Sequence, residues 1–263
     1  MGYTNSMIKQ TRTPKSILIT GASSGIGWAV ALEYACPGVH LALCGRNPDR
    51  IHKIALLCRD KGAVVTYQVM DVQNRLEMAE WIAQIDQKTP LDLVIANAGI
   101  SKGTGLNVSE EEQVRDIFSV NIAGMLNTIL PIIEPMKLRH KGQIAVLSSL
   151  AGFRGMPSAP AYCASKAAVR SYGEGLRGRL LNDGIQVSVI CPGFVKSRIT
   201  DANDFEMPFM MKADKAARFI RRGLINNRPR IAFPWQSYLL VRIISALPLS
   251  WTDKWLSRGP KKI

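Results

Sequence analysis

Short apolar runs rich in β-branched residues recur seven times along the chain, at residues 16–20, 39–44, 64–70, 91–96, 143–149, 185–191 and 230–233. Longer helix-like stretches lie between them, at 25–35, 48–61, 76–87, 110–138, 160–181 and 213–226. Strand and helix alternate throughout. This predicts an α/β fold, with a doubly wound, mostly parallel, seven-stranded sheet covered by helices on both faces. At 263 residues the chain suits one α/β core, expected over 15–235. A flexible lead-in at 1–14 and an apolar, basic extension at 236–263 are expected to flank it. Hydrophobic residues at 47% against 21% charged exclude a disordered or fibrous chain.

In such a sheet ligands bind outside the carboxyl ends of the strands, so the residues just past each run carry the functional information. The first run ends in Thr20-Gly21-Ala22-Ser23-Ser24-Gly25-Ile26-Gly27, a glycine-rich turn opening into a helix. Such a turn cradles a pyrophosphate, because glycine lets the backbone come close and the helix N-terminus offers unpaired N–H groups. A plain tight turn is the alternative, and the G-x-x-x-G-x-G spacing departs from the common G-x-G-x-x-G. The second run ends in Cys44-Gly45-Arg46. No acid stands there to accept from a ribose 2′-hydroxyl, whereas the Arg46 guanidinium can grip a 2′-phosphate, so NADP(H) is the expected cofactor. A solvated surface arginine is the alternative. Asp71-Val72 and Asn97-Ala98-Gly99 close the third and fourth runs, and each taken singly also fits a turn or a cap.

The fifth run closes on Ser148-Ser149, and thirteen residues after Ser149 comes Tyr162-Cys163-Ala164-Ser165-Lys166 near the start of a helix. Residues four apart share a helix face, so the Lys166 ammonium can lie beside the Tyr162 phenol. A nearby cation favours phenolate, which predicts a Tyr162 pKa lowered from about 10 toward working pH and a role as general acid or base. Alone, a Y-x-x-x-K is an ordinary helix surface.

Taken together and in order, T-G-x-x-x-G-x-G at 20–27, N-A-G at 97–99, Asn121, Ser149, Y-x-x-x-K at 162–166 and Pro192-Gly193 resemble the classical short-chain dehydrogenases over about 15–235. The resemblance implies a Rossmann-type fold and NADP(H)-dependent hydride transfer between nicotinamide and a carbonyl or alcohol substrate. It implies that Tyr162 protonates the carbonyl oxygen and that Ser149 holds the same oxygen by a hydrogen bond. Lys166 would bind the nicotinamide ribose and tune Tyr162, and Asn121 would hold a water linking Lys166 to solvent. Asp71 would take the adenine amino group, Val72 would line that pocket, and Asn97 would steady the sheet behind the cofactor. The segment 191–197, with Pro192, Gly193, Val195 and Ser197, would face the nicotinamide, Ser197 standing where the family usually has threonine. A sugar-nucleotide epimerase shares the Y-x-x-x-K, but the glycine spacing disfavours it.

The loop at 198–212 carries Phe205, Met207, Pro208, Phe209, Met210 and Met211. It reads either as an apolar cover for a lipophilic substrate or as a loop packed on the body or a subunit contact. The net charge of +14 is concentrated at the end, where 212–263 holds twelve basic and two acidic residues. Within it, 235–255 is apolar, flanked by tryptophans and too short to span a bilayer. Peripheral contact with an anionic membrane and packing in a homo-oligomer both stay open. The basic residues are interspersed with leucine and isoleucine, outside any DNA-binding motif, so no nucleic acid is expected. Five cysteines without metal-ligand spacing predict no metal and a reducing, cytoplasmic setting, with Cys163 a buried filler rather than a redox switch. Residues 1–14 lack an apolar core, so neither a secretory signal nor an N-terminal anchor is expected. A dinucleotide-sensing regulator and a lipid-surface module without turnover are the competing readings, and the complete set Asn121, Ser149, Tyr162 and Lys166 favours turnover. The motifs do not fix the substrate.

Overall fold

The computed structural model describes residues 13–101, 109–197, 200 and 207–257. The seven runs form β1 (Ser16–Thr20), β2 (His40–Gly45), β3 (Val64–Val69), β4 (Leu93–Ala96), β5 (Gly142–Leu147), β6 (Ile185–Pro192) and β7 (Arg230–Phe233). All pair in parallel, in the order β3-β2-β1-β4-β5-β6-β7. Every residue of β1 and β4 is buried, as a parallel strand covered on both faces requires.

Helices α1 (Gly25–Tyr34), α2 (Pro48–Asp60) and α7 (Ala213–Ile225) share one core with Ile17, Ile19, Leu41 and Leu43. On the other face α3 (Arg75–Lys88), α5 (Gly124–Leu138) and α6 (Pro160–Arg179) share a second core with Leu18, Val94, Ile144 and Val187. Alternate residues of one strand thus feed opposite cores. Local chemistry sets the helix starts. Asn47 caps α2 ahead of Pro48, Asn74 caps α3, and Ser109 with Glu112 forms a capping box on α4 (Glu110–Phe118).

The expected single helix over 110–138 is interrupted. Between α4 and α5 the chain widens into a π turn at Ser119–Ala123, which contains the buried Asn121. By length and composition this stretch could cross a membrane, but Ile129, Ile132 and Met136 lie in the core against the sheet. After β7 come α8 (Trp235–Ala246) and α9 (Leu249–Leu256). The expected lead-in falls almost wholly outside the described residues, as do Phe205 and much of the expected cover.

Helix α6 sits close to the sheet because of Gly173. A Cβ there would lie 2.7 Å from both Val146 Cγ2 and Val189 Cγ2, whereas one on Gly175 would meet nothing within 4 Å. Gly173→Ala is therefore expected to cost about 1–3 kcal/mol by overpacking, and Gly175→Ala to gain about 0.5–1 kcal/mol from helix propensity. Denaturant midpoints at unchanged slope check the opposite signs.

Candidate active site

A cleft of about 480 Å³ opens at the carboxyl ends of β1, β2 and β4. Its floor is the glycine-rich turn. Gly21 and Gly25 adopt φ values of +65° and +55°, which glycine takes without strain. Gly27 does not line the cleft; a Cβ there would lie 2.4 Å from the Gly21 carbonyl, so this glycine lets α1 start directly beneath the turn. Ser24, at the N-cap of α1, makes no side-chain capping bond, which leaves the first-turn N–H groups for an anion. Ser23, Ser24 and Ile26 line the cleft, as do Asp71, Val72, Asn97, Ala98, Gly99 and Ser197.

Arg46 stands at the cleft edge, its guanidinium 3.5 Å from the Asp71 carboxylate. The two side chains are 48% and 34% exposed, and an exposed pair of this kind is weak enough to yield to a ligand. The cleft also holds Arg50, which the motifs do not single out. A signal for it is present in the sequence: Asn47-Pro48 starts α2 immediately after β2, which puts residue 50 in the first helical turn, with its N–H donating to Asn47 Oδ1 at 2.9 Å. Gly45, Met70, Ile100, Val120 and Leu147 complete much of the wall.

Asn97 bridges β4 to β1. Its N–H donates to Thr20 Oγ1 at 3.1 Å, and its Nδ2 to the carbonyls of Thr20 at 2.9 Å and Gly21 at 3.2 Å. Asn121 ties the next segment to α6. Its Nδ2 donates to the Ile100 carbonyl and to Ser165 Oγ, both at 2.9 Å, while its Oδ1 accepts from the Ile100 N–H at 2.8 Å. Both amide hydrogens are committed, so a water could use only the remaining lone pair of Oδ1 or the backbone.

The second part of the site adjoins this cleft through Gly99 and Leu147. Lys166 donates from Nζ to the Leu147 carbonyl at 2.9 Å, and a Cβ on Gly99 would lie 3.1 Å from that Nζ. The same ammonium is 5.8 Å from the centre of the Tyr162 ring. Ser149 accepts from the Ala151 N–H at 3.1 Å and lies 3.4 Å from the Pro192 carbonyl. Tyr162 is partly exposed along its length, while its hydroxyl is enclosed beside Ser149. Pro192 ends β6, Gly193 donates to the Phe233 carbonyl at 2.7 Å, and Val195 is bridged to Met211. These last three residues lie beside the cleft rather than in its wall.

Electrostatics reverse one expectation. Burial pushes the Tyr162 pKa above its ordinary value of about 10, and the hydrogen bond with Ser149 only partly opposes this. Burial also lowers Lys166 to about 8, against the influence of Cys191. Removing water penalises phenolate and ammonium alike, so at neutral pH Tyr162 holds its proton and Lys166 is close to losing one. Cys163 is buried and forms no disulfide. Among the described residues no group of His, Cys, Asp and Glu could hold a metal.

The short chain dehydrogenase family model matches residues 15–207. An oxidoreductase of Myxococcus xanthus is 36% identical over 89% of this chain and 93% of its own length. A 17-beta-hydroxysteroid dehydrogenase 13 of Rattus norvegicus is 30% identical over 88% of this chain and 77% of its own. Among solved structures, a short chain dehydrogenase/reductase of Burkholderia phymatum in complex with NAD superposes with a TM-score of 0.77 at 25% identity, covering 95% of this chain and 97% of that one. With its all-parallel sheet and the cleft at its strand ends, this chain belongs to the short-chain dehydrogenase family and is an oxidoreductase acting between CH–OH and C=O groups.

Proposed function

We propose that this chain is an NADP(H)-dependent reductase of lipophilic carbonyl compounds, reversible toward the alcohol, with Tyr162 as its general acid and base. One observation carries the reading: Ser149, Tyr162 and Lys166 adjoin, through Gly99 and Leu147, a cleft whose lining also carries Arg46 and Arg50. The residues fit a dinucleotide. Gly21 and Gly25 admit the pyrophosphate against the open N-terminus of α1, and Arg46 and Arg50 together suit a 2′-phosphate, since guanidinium forks match phosphate oxygens. Likeness alone does not choose the cofactor, because the Burkholderia phymatum structure holds NAD.

A bound nicotinamide supplies or takes up the hydride. The Ser149 hydroxyl holds the substrate oxygen and offsets its growing negative charge. Tyr162 gives its proton to that oxygen in reduction and takes it back in oxidation. Lys166 holds the ribose and returns a proton toward Tyr162, while Asn121 fixes the wall between them by holding Ile100 and Ser165. Asp71 and Val72 would receive the adenine, and Pro192, Gly193, Val195 and Ser197 would flank the nicotinamide. The lipophilic substrate is supported by the exposed Phe209 and Met210, which precede Met211 in its bridge to Val195, and by the named activity of the rat relative. Assembly with like subunits, supported by the exposed Leu130 and Leu138 of α5, and a reducing setting, supported by five cysteines that form no disulfide, belong to the same proposal.

The paired variant Arg46→Ala, Arg50→Ala is expected to weaken NADPH binding by about ten-fold or more, as loss of charged hydrogen bonds would, and to leave NADH binding nearly unchanged. Titration of both reduced cofactors decides it. Wild-type protein that prefers NADH would refute the cofactor reading.

Tyr162→Phe should lower kcat by about 10²–10⁴-fold while cofactor affinity stays within a few-fold. Because burial raises the Tyr162 pKa, its proton is in place at neutral pH. Carbonyl reduction should therefore stay level over about pH 6–7, below the Lys166 pKa of about 8, while alcohol oxidation, which needs the phenolate, climbs with pH. Rate profiles in both directions check this, and a reduction rate that drops across that range removes Tyr162 as donor.

A further inference from the structure

Helix α8 is apolar on two opposite sides. On its inner side Val241 and Ile244 are buried, and Tyr238 meets Phe153 edge-on with ring centres 5.6 Å apart. On its outer side Trp235, Leu239, Ile243 and Leu247 recur every four residues, forming one stripe with Leu240 beside it. All five are exposed, and α9 continues the patch with exposed Leu249 and Trp251. Trp235 is 68% and Trp251 74% exposed. A surface helix needs one apolar side to pack on its own body. The second side has no partner among the described residues, and exposed apolar surface on this scale marks a contact with something else.

The surroundings of the stripe carry charge of one sign. A groove of about 550 Å³ between α7, β7 and α8 is lined by Lys215, Phe219, Arg222 and Arg228, and Trp235 forms part of its wall. Arg242 is exposed on α8 itself. Arg218, Arg221 and Arg230 each have an acidic partner. Among the described residues no ion pair neutralises Lys215, Arg222, Arg228 or Arg242.

We propose that the outer face of α8 and α9, with the cationic groove beside it, docks on an anionic lipid bilayer. The leucines and isoleucine would enter the interface, Trp235 and Trp251 would sit at headgroup depth, and the unpaired cations would meet lipid phosphates and carboxylates. A second copy of this chain suits the face less well. A twofold contact would set the same cluster of free cations against its own image, and like charges facing each other are costly. The inner side fixes the orientation. Arg154 bonds to Thr252 and pairs with Asp253 of α9, and Phe153 of the turn Leu150–Phe153 packs on Tyr238. That turn directly follows Ser149. A docked patch would therefore hold the Ser149 side of the site next to the layer from which a lipophilic substrate comes. The docking stands on this surface alone and does not depend on the cofactor reading.

Flotation of the full chain on vesicles tests it, using phosphatidylcholine alone and phosphatidylcholine with about a third phosphatidylserine, at low salt and at about 0.5 M salt. Binding is expected to be at least about ten-fold tighter to the anionic vesicles and to weaken in salt, since each basic residue near such a leaflet adds about five-fold. Arg222→Gln with Arg228→Gln should weaken it by about 25-fold on the same basis. Leu239→Gln with Ile243→Gln should abolish flotation while Tm and the mass in solution stay unchanged. Equal binding to neutral vesicles overturns the proposal. So does absence of binding, above all if the Leu239→Gln, Ile243→Gln protein drops to a smaller mass, which would assign the face to a second copy.

Discussion

The Asn97 amide bridges the ends of β1 and β4, neighbouring strands from which the chain departs toward opposite faces of the sheet. Such a divergence leaves a crevice, and it is useful only if its floor keeps a fixed width. Asn97 supplies that width with one side chain bonded to Thr20 and Gly21. The turn above it needs the left-handed glycines, α1 starts close under it because Gly27 has no side chain, and Gly99 comes next at the point where the lysine approaches. These features succeed one another within a few ångströms of the same amide.

Much of the molecule is legible in its residues because the informative signals are local. The central runs β1 and β4 are buried on both sides, so their apolar character is nearly continuous, while β3 at the sheet edge is largely exposed and is marked instead by its β-branched residues. The glycine turn, Asn97 and the Tyr162–Lys166 pair sit where strands end, and that follows from the alternation itself. The π turn at Ser119–Ala123 is not visible in the sequence, because the apolar periodicity runs through it unbroken while its cause lies in bonds from Asn121 to Ile100 and Ser165. Arg50 escapes a reading confined to strand ends, since it stands one helical turn further on, although the cap at Asn47 already places it. The direction of the Tyr162 pKa differs from expectation for another reason: the i, i+4 spacing reveals a neighbouring lysine but not the loss of water, and here burial outweighs the opposing hydrogen bond from Ser149.

Burial also explains why the polar groups of the site are so fully partnered. Asn121, Ser148 and Ser165 are nearly inaccessible, and an unsatisfied polar atom at such depth costs a few kcal/mol. Each has a partner: Ser148 donates to the Lys166 carbonyl at 2.7 Å, and Ser165 to the Tyr162 carbonyl at 2.8 Å. These bonds fix the backbone of α6 at the two residues whose side chains stand beside Ser149 and Leu147. The helix position is thereby set by its own reactive turn as well as by its apolar side.

The bond between Arg154 and Thr252 and the contact between Phe153 and Tyr238 bear on how this fold can be recombined. Residues after β7 look like an appendage that could be trimmed or exchanged between relatives. Their inner surface instead forms the outer support of the turn behind Ser149, and Arg230 reinforces it by bonding Glu174 of α6 and the Tyr238 hydroxyl together. A chimera that kept residues up to β7 and took its ending from elsewhere would change the stiffness of the reactive wall even with every motif residue retained. The ending of the chain is, in this sense, inherited together with its chemistry.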